Sequence, residues 1–234
     1  MFFPERLKNI PPSDNVLEIG PGAMPHPRAN AFLEKVFSPE EALVQSGYAT
    51  PAMLDKKTYF YDGTRFPFED NSFDYIICSH VIEHIPVDEL PSFVKEMQRV
   101  AKKGYIEFPT VFYELVNYEP VHIWLMNFRD GKMIFMDKKM FVSNNVHQVI
   151  RKLFYSNDNY LRSAFKRYKE LFFVGFEWKD TIEYEFVNSY NALVNERDVN
   201  YWEQVFSEYT SPIVPVLKRP LYGRIFQKIK RIFK

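Results

Sequence analysis

Three acidic residues fall in order at the ends of three short apolar runs. Glu18 closes the run Val16-Leu17-Glu18-Ile19-Gly20-Pro21-Gly22, Glu34 follows Ala31 to Leu33, and Asp62 follows Thr58 to Tyr61, with Gly63 next. A carboxylate at the second strand end can accept both hydroxyls of a ribose, and one at the third can accept from an exocyclic amine. The ordered set therefore suits an adenosine-containing ligand held without phosphates. Gly20 and Gly22 stand in the turn after the first run, where backbone must approach a ligand closely. A nicotinamide-type fingerprint needs a third glycine three residues after the second. Here that residue is Pro25, which has no N–H to give a pyrophosphate. A single strand-end acid is usually a solvated turn residue; three in register argue for a shared ligand.

Ser79-His80-Val81-Ile82-Glu83-His84 follows a fourth run, Phe73 to Cys78. A histidine titrating near neutrality suits removal of a proton from an attacking oxygen or nitrogen, so His84 and His80 are the candidate general bases. For each, capping a helix or packing beside a ligand is the competing role. His80, Glu83 and His84 also share one face at helical spacing, and His122 could add a further ligand. With one carboxylate among them the set is poor for a hard ion such as magnesium, so no metal is assigned and a divalent ion is the lesser alternative.

The elements that must position these residues follow from the pattern. The runs at 15–20, 58–61, 73–78 and 105–108 read as strands. Between Val87 and Lys103, Leu90, Phe93, Val94, Met97, Val100 and Ala101 recur at helical spacing opposite Lys95, Glu96 and Arg99. Gly104 is read as the stop of that helix. Ser38-Pro39-Glu40-Glu41 carries the signature of a helix start. Strands alternating with helices imply a parallel sheet whose ligands sit at the carboxyl ends of the strands. Beyond Thr110 the alternation lapses. Ile123 to Asp137 reads as a β-hairpin insertion around Asp130-Gly131. A helix through Leu161, Ala164, Phe165, Tyr168, Leu171 and Phe172 is expected next, then a strand over Ile182 to Val187 and a helix over Tyr201 to Tyr209.

Composition excludes several classes. Thirty basic and thirty acidic side chains cancel, so no global field gathers nucleic acid. The single cysteine, Cys78, excludes an intramolecular disulfide and a multi-thiolate zinc site. No apolar run reaches membrane-span length, and the opening residues lack the apolar core of a signal peptide, so a cytoplasmic location is expected.

The motifs Val-Leu-Glu-Ile-Gly-Pro-Gly at 16–22, Phe-Pro-Phe-Glu-Asp-Asn-Ser-Phe-Asp-Tyr-Ile at 66–76 and Ser-His-Val-Ile-Glu-His-Ile at 79–85 resemble the class I S-adenosylmethionine-dependent methyltransferases, within them the type 11 branch. The resemblance covers about residues 13 to 110. It implies a Rossmann-like, mostly parallel α/β sheet flanked by helices, with S-adenosyl-L-methionine as co-substrate. It further implies that Glu18, Gly20 and Gly22 line the methionine end, that Glu34 binds the ribose and that Asp62 with Gly63 faces the adenine. Ser79 would lie beside the activated methyl group. Two departures stand out: Met24 replaces a glycine common in the family, and Pro25-His26-Pro27 shortens or distorts the first helix.

The expected layout is a cofactor-binding core at 1–110, the hairpin and substrate-side elements of a C-terminal helical cap at 111–217, and a basic amphipathic tail at 218–234. Tyr113, His122, Trp124 and Arg129 are candidate substrate contacts, although aromatics in so aromatic a chain more often serve the core. The tail holds seven Lys or Arg and no acid. It would either lie on an anionic membrane surface or dock on the protein's own acidic body. O-methylation of a sugar or lipid-linked saccharide is the leading expectation. A lipid or quinone acceptor, and a non-catalytic cofactor-binding subunit of a glycan-assembly complex, are the alternatives.

Overall fold

The computed structural model describes residues 1–7, 10–22, 24–38, 41, 44, 57–140 and 165–209, the side chains of 208 and 209 excepted. The expected tail at 218–234 and the first residues of the helix expected from Leu161 lie outside these.

A six-stranded sheet runs in the order β3-β2-β1-β4-β5-β8. Its strands are β1 (Val16–Ile19), β2 (Ala31–Lys35), β3 (Lys57–Tyr61), β4 (Tyr75–Ser79), β5 (Lys103–Pro109) and β8 (Phe173–Lys179). The first five are mutually parallel and β8 is antiparallel to β5. The strand order reverses between β1 and β4, the point at which open parallel sheets bind ligands. The hairpin forms where Asp130-Gly131 places it, as β6 (Trp124–Arg129) and β7 (Lys132–Asp137), with positive φ at both turn residues. It gains β9 (Glu183–Phe186), which joins β7 in parallel to make a second, three-stranded sheet.

Alternation along the strands builds two apolar layers. Leu17, Ile19, Ile76, Cys78, Ile106 and Phe108 face α1 (Leu90–Val100), which contributes Phe93, Val94 and Met97. Val16, Tyr75, Ile77 and Tyr105 face the other way, under Phe3, Leu7, Leu171 and Phe172. Among the other helices, α2 (Val111–Asn117) and α3 (Lys169–Phe172) flank β5 and β8, and α4 (Tyr190–Leu193) and α5 (Glu196–Tyr209) follow β9.

The sheet departs from the sequence reading in four places. Gly104 does not end α1: the helix closes at Ala101, whose backbone is extended, and Gly104 lies inside β5. Glycine is required there because a Cβ would stand 2.5 Å from the Ile76 carbonyl oxygen and 2.8 Å from Trp178 Nε1. Glu34 lies within β2 rather than after it. The distorted first helix is absent altogether: among the described residues from Gly20 to Asn30 there is no helix, and β2 begins at Ala31. Prolines at 21, 25 and 27 remove the donors a helix would need. Finally, the sheet is not finished at Thr110, because β8 supplies its sixth strand.

Candidate functional site

The carboxyl ends of β1 to β5 bring the singled-out residues to one edge. Ile19 pairs with Leu33 and Cys78, Lys35 with Tyr61, and Ser79 with Glu107, so the residues just beyond these registers are neighbours. Gly20 has φ +60°, and a Cβ there would lie 2.6 Å from Val81 Cγ2, so the turn after β1 is closed against the segment after β4. Gly22, also at positive φ, has open space where a side chain would stand. Its backbone amide hydrogen-bonds Glu34, yet burial pushes that carboxyl above its ordinary value. The Glu18 carboxylate is buried and accepts from the His26 amide at 2.7 Å. Asp62 Oδ1 accepts from the Thr64 hydroxyl at 2.6 Å and the Thr64 amide at 3.0 Å, which holds this exposed carboxyl below its ordinary range. Gly63 lets Lys35 and Glu89 meet in a 2.6 Å ion pair beside it. Met24 is 83% exposed and fills none of this edge.

After β4 the chain enters a left-handed backbone at His80 (φ +57°) and a single turn of 3-10 helix at Ile82–His84. The two candidate histidines part here. His80 offers Nε2 to Glu107 at 3.1 Å and Nδ1 to Glu83 at 3.3 Å, and its ring lies edge-on between Phe2 and Phe173. Burial alone would lower its pKa; the two carboxylates that face its nitrogens, Glu107 and Glu83, outweigh burial and raise it. His84 is pushed the other way, chiefly by burial and also by the neighbouring His122. Its Nδ1–H donates to the Val121 carbonyl at 3.2 Å, leaving the Nε2 lone pair free for chemistry.

Glu107 is the residue that sequence reasoning missed. Fully buried, it accepts from the Phe2 amide (2.6 Å), the Phe3 amide (3.1 Å), the Tyr105 hydroxyl (2.6 Å) and the Ser79 hydroxyl (3.3 Å) as well as facing His80. Burial would raise its pKa, but His80, the Tyr105 hydroxyl and the N-terminal ammonium hold it down to about 2. The available signal was a lone charge inside the apolar strand Tyr105-Ile106-Glu107-Phe108.

The candidate substrate contacts divide. His122 is buried beside His84, the ring centroids 4.7 Å apart, and its Nδ1 meets Glu114 at 2.5 Å. Tyr113 packs near it. Trp124 is a core residue whose indole donates to the Ile85 carbonyl at 2.7 Å, and Arg129 is committed to Asp198 at 2.7 Å and to the Ala192 carbonyl. A cavity of about 700 Å³ lies between the hairpin tip, β8 and α5, lined among others by Arg129, Phe173, Phe176 and Trp202. It borders the site through Phe173, which packs on His80; none of the strand-end acids lines it.

Residues 45–106 match the family model described as a methyltransferase domain. A stretch of 69 residues is 36% identical to ajmaline N-methyltransferase of Rauvolfia serpentina, covering 29% of this chain and 23% of that protein. The chain thus spans under a quarter of that curated relative. Among solved structures, the putative methyltransferase in complex with the Trm112 activator of Haloferax volcanii is 14% identical, with 77% of this chain and 89% of that chain covered at a TM-score of 0.42. A Methanosarcina mazei SAM-dependent methyltransferase is 16% identical over 54% of this chain and 72% of that one, at 0.35. Likenesses at these scores carry no argument about activity.

Proposed function

We infer that the chain is a class I S-adenosylmethionine-dependent methyltransferase, and the observation that carries this is the sheet edge where Gly20, Gly22, Glu34 and Asp62 stand at the carboxyl ends of β1, β2 and β3, next to the reversal of strand order. The residues suit the cofactor. Open space stands over Gly22, a half-buried carboxylate at Glu34 can take a ribose diol, and Asp62 with Gly63 closes the third strand end. No phosphate cradle is needed, which agrees with Pro25. Bound there, S-adenosylmethionine supplies a methyl carbon made electrophilic by its sulfonium. The protein's own part is to orient an acceptor and remove its proton. We assign that proton to His84: its pKa is lowered and its Nε2 makes no hydrogen bond among the described residues, whereas both nitrogens of His80 face carboxylates. His80 then serves as a positioning residue that ties the turn after β4 to Glu107.

For the acceptor we propose an oxygen of a sugar or lipid-linked saccharide. The cavity along β8 supports this, since aromatic faces at Phe176 and Trp202 beside Arg129 and Arg197 match the mixed character of a glycan. The basic segment 218–234 would hold the protein at an anionic surface where such lipids reside; among the described residues no helix is long and apolar enough to cross a membrane. The test is transfer of labelled methyl from S-adenosylmethionine to a panel of saccharides, lipid-linked saccharides and quinones. Label in a saccharide, reduced at least a hundredfold in His84→Asn and much less in His80→Asn, is expected. Label confined to quinones would overturn the acceptor, and equal turnover in His84→Asn would overturn the base.

A further inference from the structure

The 3-10 turn after β4, the start of the hairpin and α2 bring together a cluster of which methyl transfer as described above uses only His84. Glu83, His84 and His122 each offer one ligand atom, and these atoms lie within 4.8 Å of one another. Their meeting is built by backbone: the Ile123 amide donates to the Glu83 carbonyl at 3.0 Å, and the Trp124 indole to Ile85, so the hairpin is pinned on the turn and carries His122 onto His84. Glu83 is fully buried, and neither of its carboxylate oxygens has a hydrogen-bond partner among the described residues. A carboxylate in that state is costly unless a cation faces it. His80 Nδ1 stands 3.3 Å from one oxygen without making a hydrogen bond of good geometry, and His122 Nε2 stands 3.9 Å from the same oxygen.

Both histidines are oriented from behind. His122 Nδ1 is held by Glu114, which Lys138 in turn pairs with; His84 Nδ1 donates to the Val121 carbonyl. That leaves Nε2 of each ring as its remaining donor atom, the His122 one 3.9 Å from a Glu83 oxygen. A carboxylate or a carbonyl behind each imidazole is the outer arrangement that fixes metal-ligating histidines. Two imidazoles and one carboxylate form a borderline donor set. It suits zinc or a neighbouring divalent ion with a fourth position open, and suits magnesium poorly. Tetrahedral ligation at about 2.1 Å places donor atoms about 3.4 Å apart, so donors that lie within 4.8 Å of one another close in by up to about 1.4 Å on loading. His80, counted with this face in the sequence, spends Nε2 on Glu107 and faces Glu83 through Nδ1, so it stands beside the cluster rather than in it.

We propose that Glu83, His84 and His122 form a site for one divalent first-row transition ion, with Glu114 and Val121 as its outer support. The ion and the base role draw on the same His84 lone pair, so metal-loaded and metal-free protein are distinct states. The site stands on its own geometry and is tested without methyl donor or acceptor. Chelator-treated full-length protein is titrated with Co²⁺ and Zn²⁺, following visible absorption, metal content after gel filtration and melting temperature. The expected result is one ion per chain, an intense tetrahedral-type cobalt spectrum that Zn²⁺ displaces, and a raised melting temperature that equal Mg²⁺ does not produce. His122→Asn and Glu83→Gln should each weaken binding at least tenfold, with circular dichroism checking the fold. Should either variant fail to fold, the wild-type stoichiometry and spectrum decide. No stoichiometric ion on folded wild-type protein, an octahedral-type weak spectrum, or binding unchanged in folded His122→Asn would overturn the proposal.

Discussion

At the scale of single residues, two buried charges set how the protein responds to pH. The Glu107 carboxyl is held at about 2 against an ordinary 4.5, so its contribution to stability is present above 4.5 and is lost as pH falls towards 2. His80 is raised from 6.5, so its contribution is complete below 6.5 and is lost as pH rises through the higher folded value. The pair together therefore supports the fold most between 4.5 and 6.5. Glu107→Ala leaves His80 and two backbone amides facing an apolar layer, and should cost about 3–5 kcal/mol. Urea unfolding of both proteins across pH 2 to 9 checks both claims: the difference between them should peak in that window, and a flat difference would remove the ion pair from the account. The placement of residues 18–22, 34, 62 and 79–84 at one sheet edge was legible because their types repeat at strand ends. Glu107, Glu114 and Lys138 were not, since nothing in a linear sequence shows that three charges distant from one another share a buried face with histidines.

At the scale of elements, the turn after β1 works because glycine fills two needs at once. Gly20→Ala meets both a left-handed backbone and Val81 Cγ2 at 2.6 Å, and should lower stability by about 1–3 kcal/mol while opening the contact between the β1 and β4 turns. Thermal melting checks this, with Gly131→Ala, which has positive φ but no close neighbour, expected to cost less. Trp124→Phe removes the indole bond to Ile85 that pins the hairpin, leaving a buried carbonyl unpaired at about 1–3 kcal/mol. Hydrogen exchange should then speed at Ile123 before it does at Ile77; protection unchanged at Ile123 would mean the hairpin is held elsewhere. Strands β1 to β5 and the hairpin were readable from alternating or uniformly apolar runs with turn residues between. β8 was missed because Phe173-Val174-Gly175-Phe176-Glu177-Trp178 carries aromatics on both faces, which hides a period of two. α2 was missed because Val111-Phe112-Tyr113 reads as strand by propensity, and only the tertiary layer under Phe172 makes it helical.

At the scale of the whole molecule, a parallel sheet with its order reversed between β1 and β4 gathers a turn, two acids and two histidines from four separate strands onto one edge. The antiparallel β8 extends this sheet beyond β5 and lines the cavity that the hairpin tip and α5 complete. The described residues between Gly20 and Asn30 form no helix, so the cofactor of the proposed function would be held by carboxylates and turn amides rather than by a helix terminus. Charge-assisted hydrogen bonds of this kind contribute about 1.5–3 kcal/mol each. The most direct measurement is calorimetric titration of the full chain with S-adenosylhomocysteine, beside NADH and a Glu34→Ala variant shown to be folded. The account predicts stoichiometric S-adenosylhomocysteine binding, weakened about 10- to 100-fold by Glu34→Ala, and no binding of NADH. Folded protein that ignores S-adenosylhomocysteine, or that binds it equally well without Glu34, would contradict it.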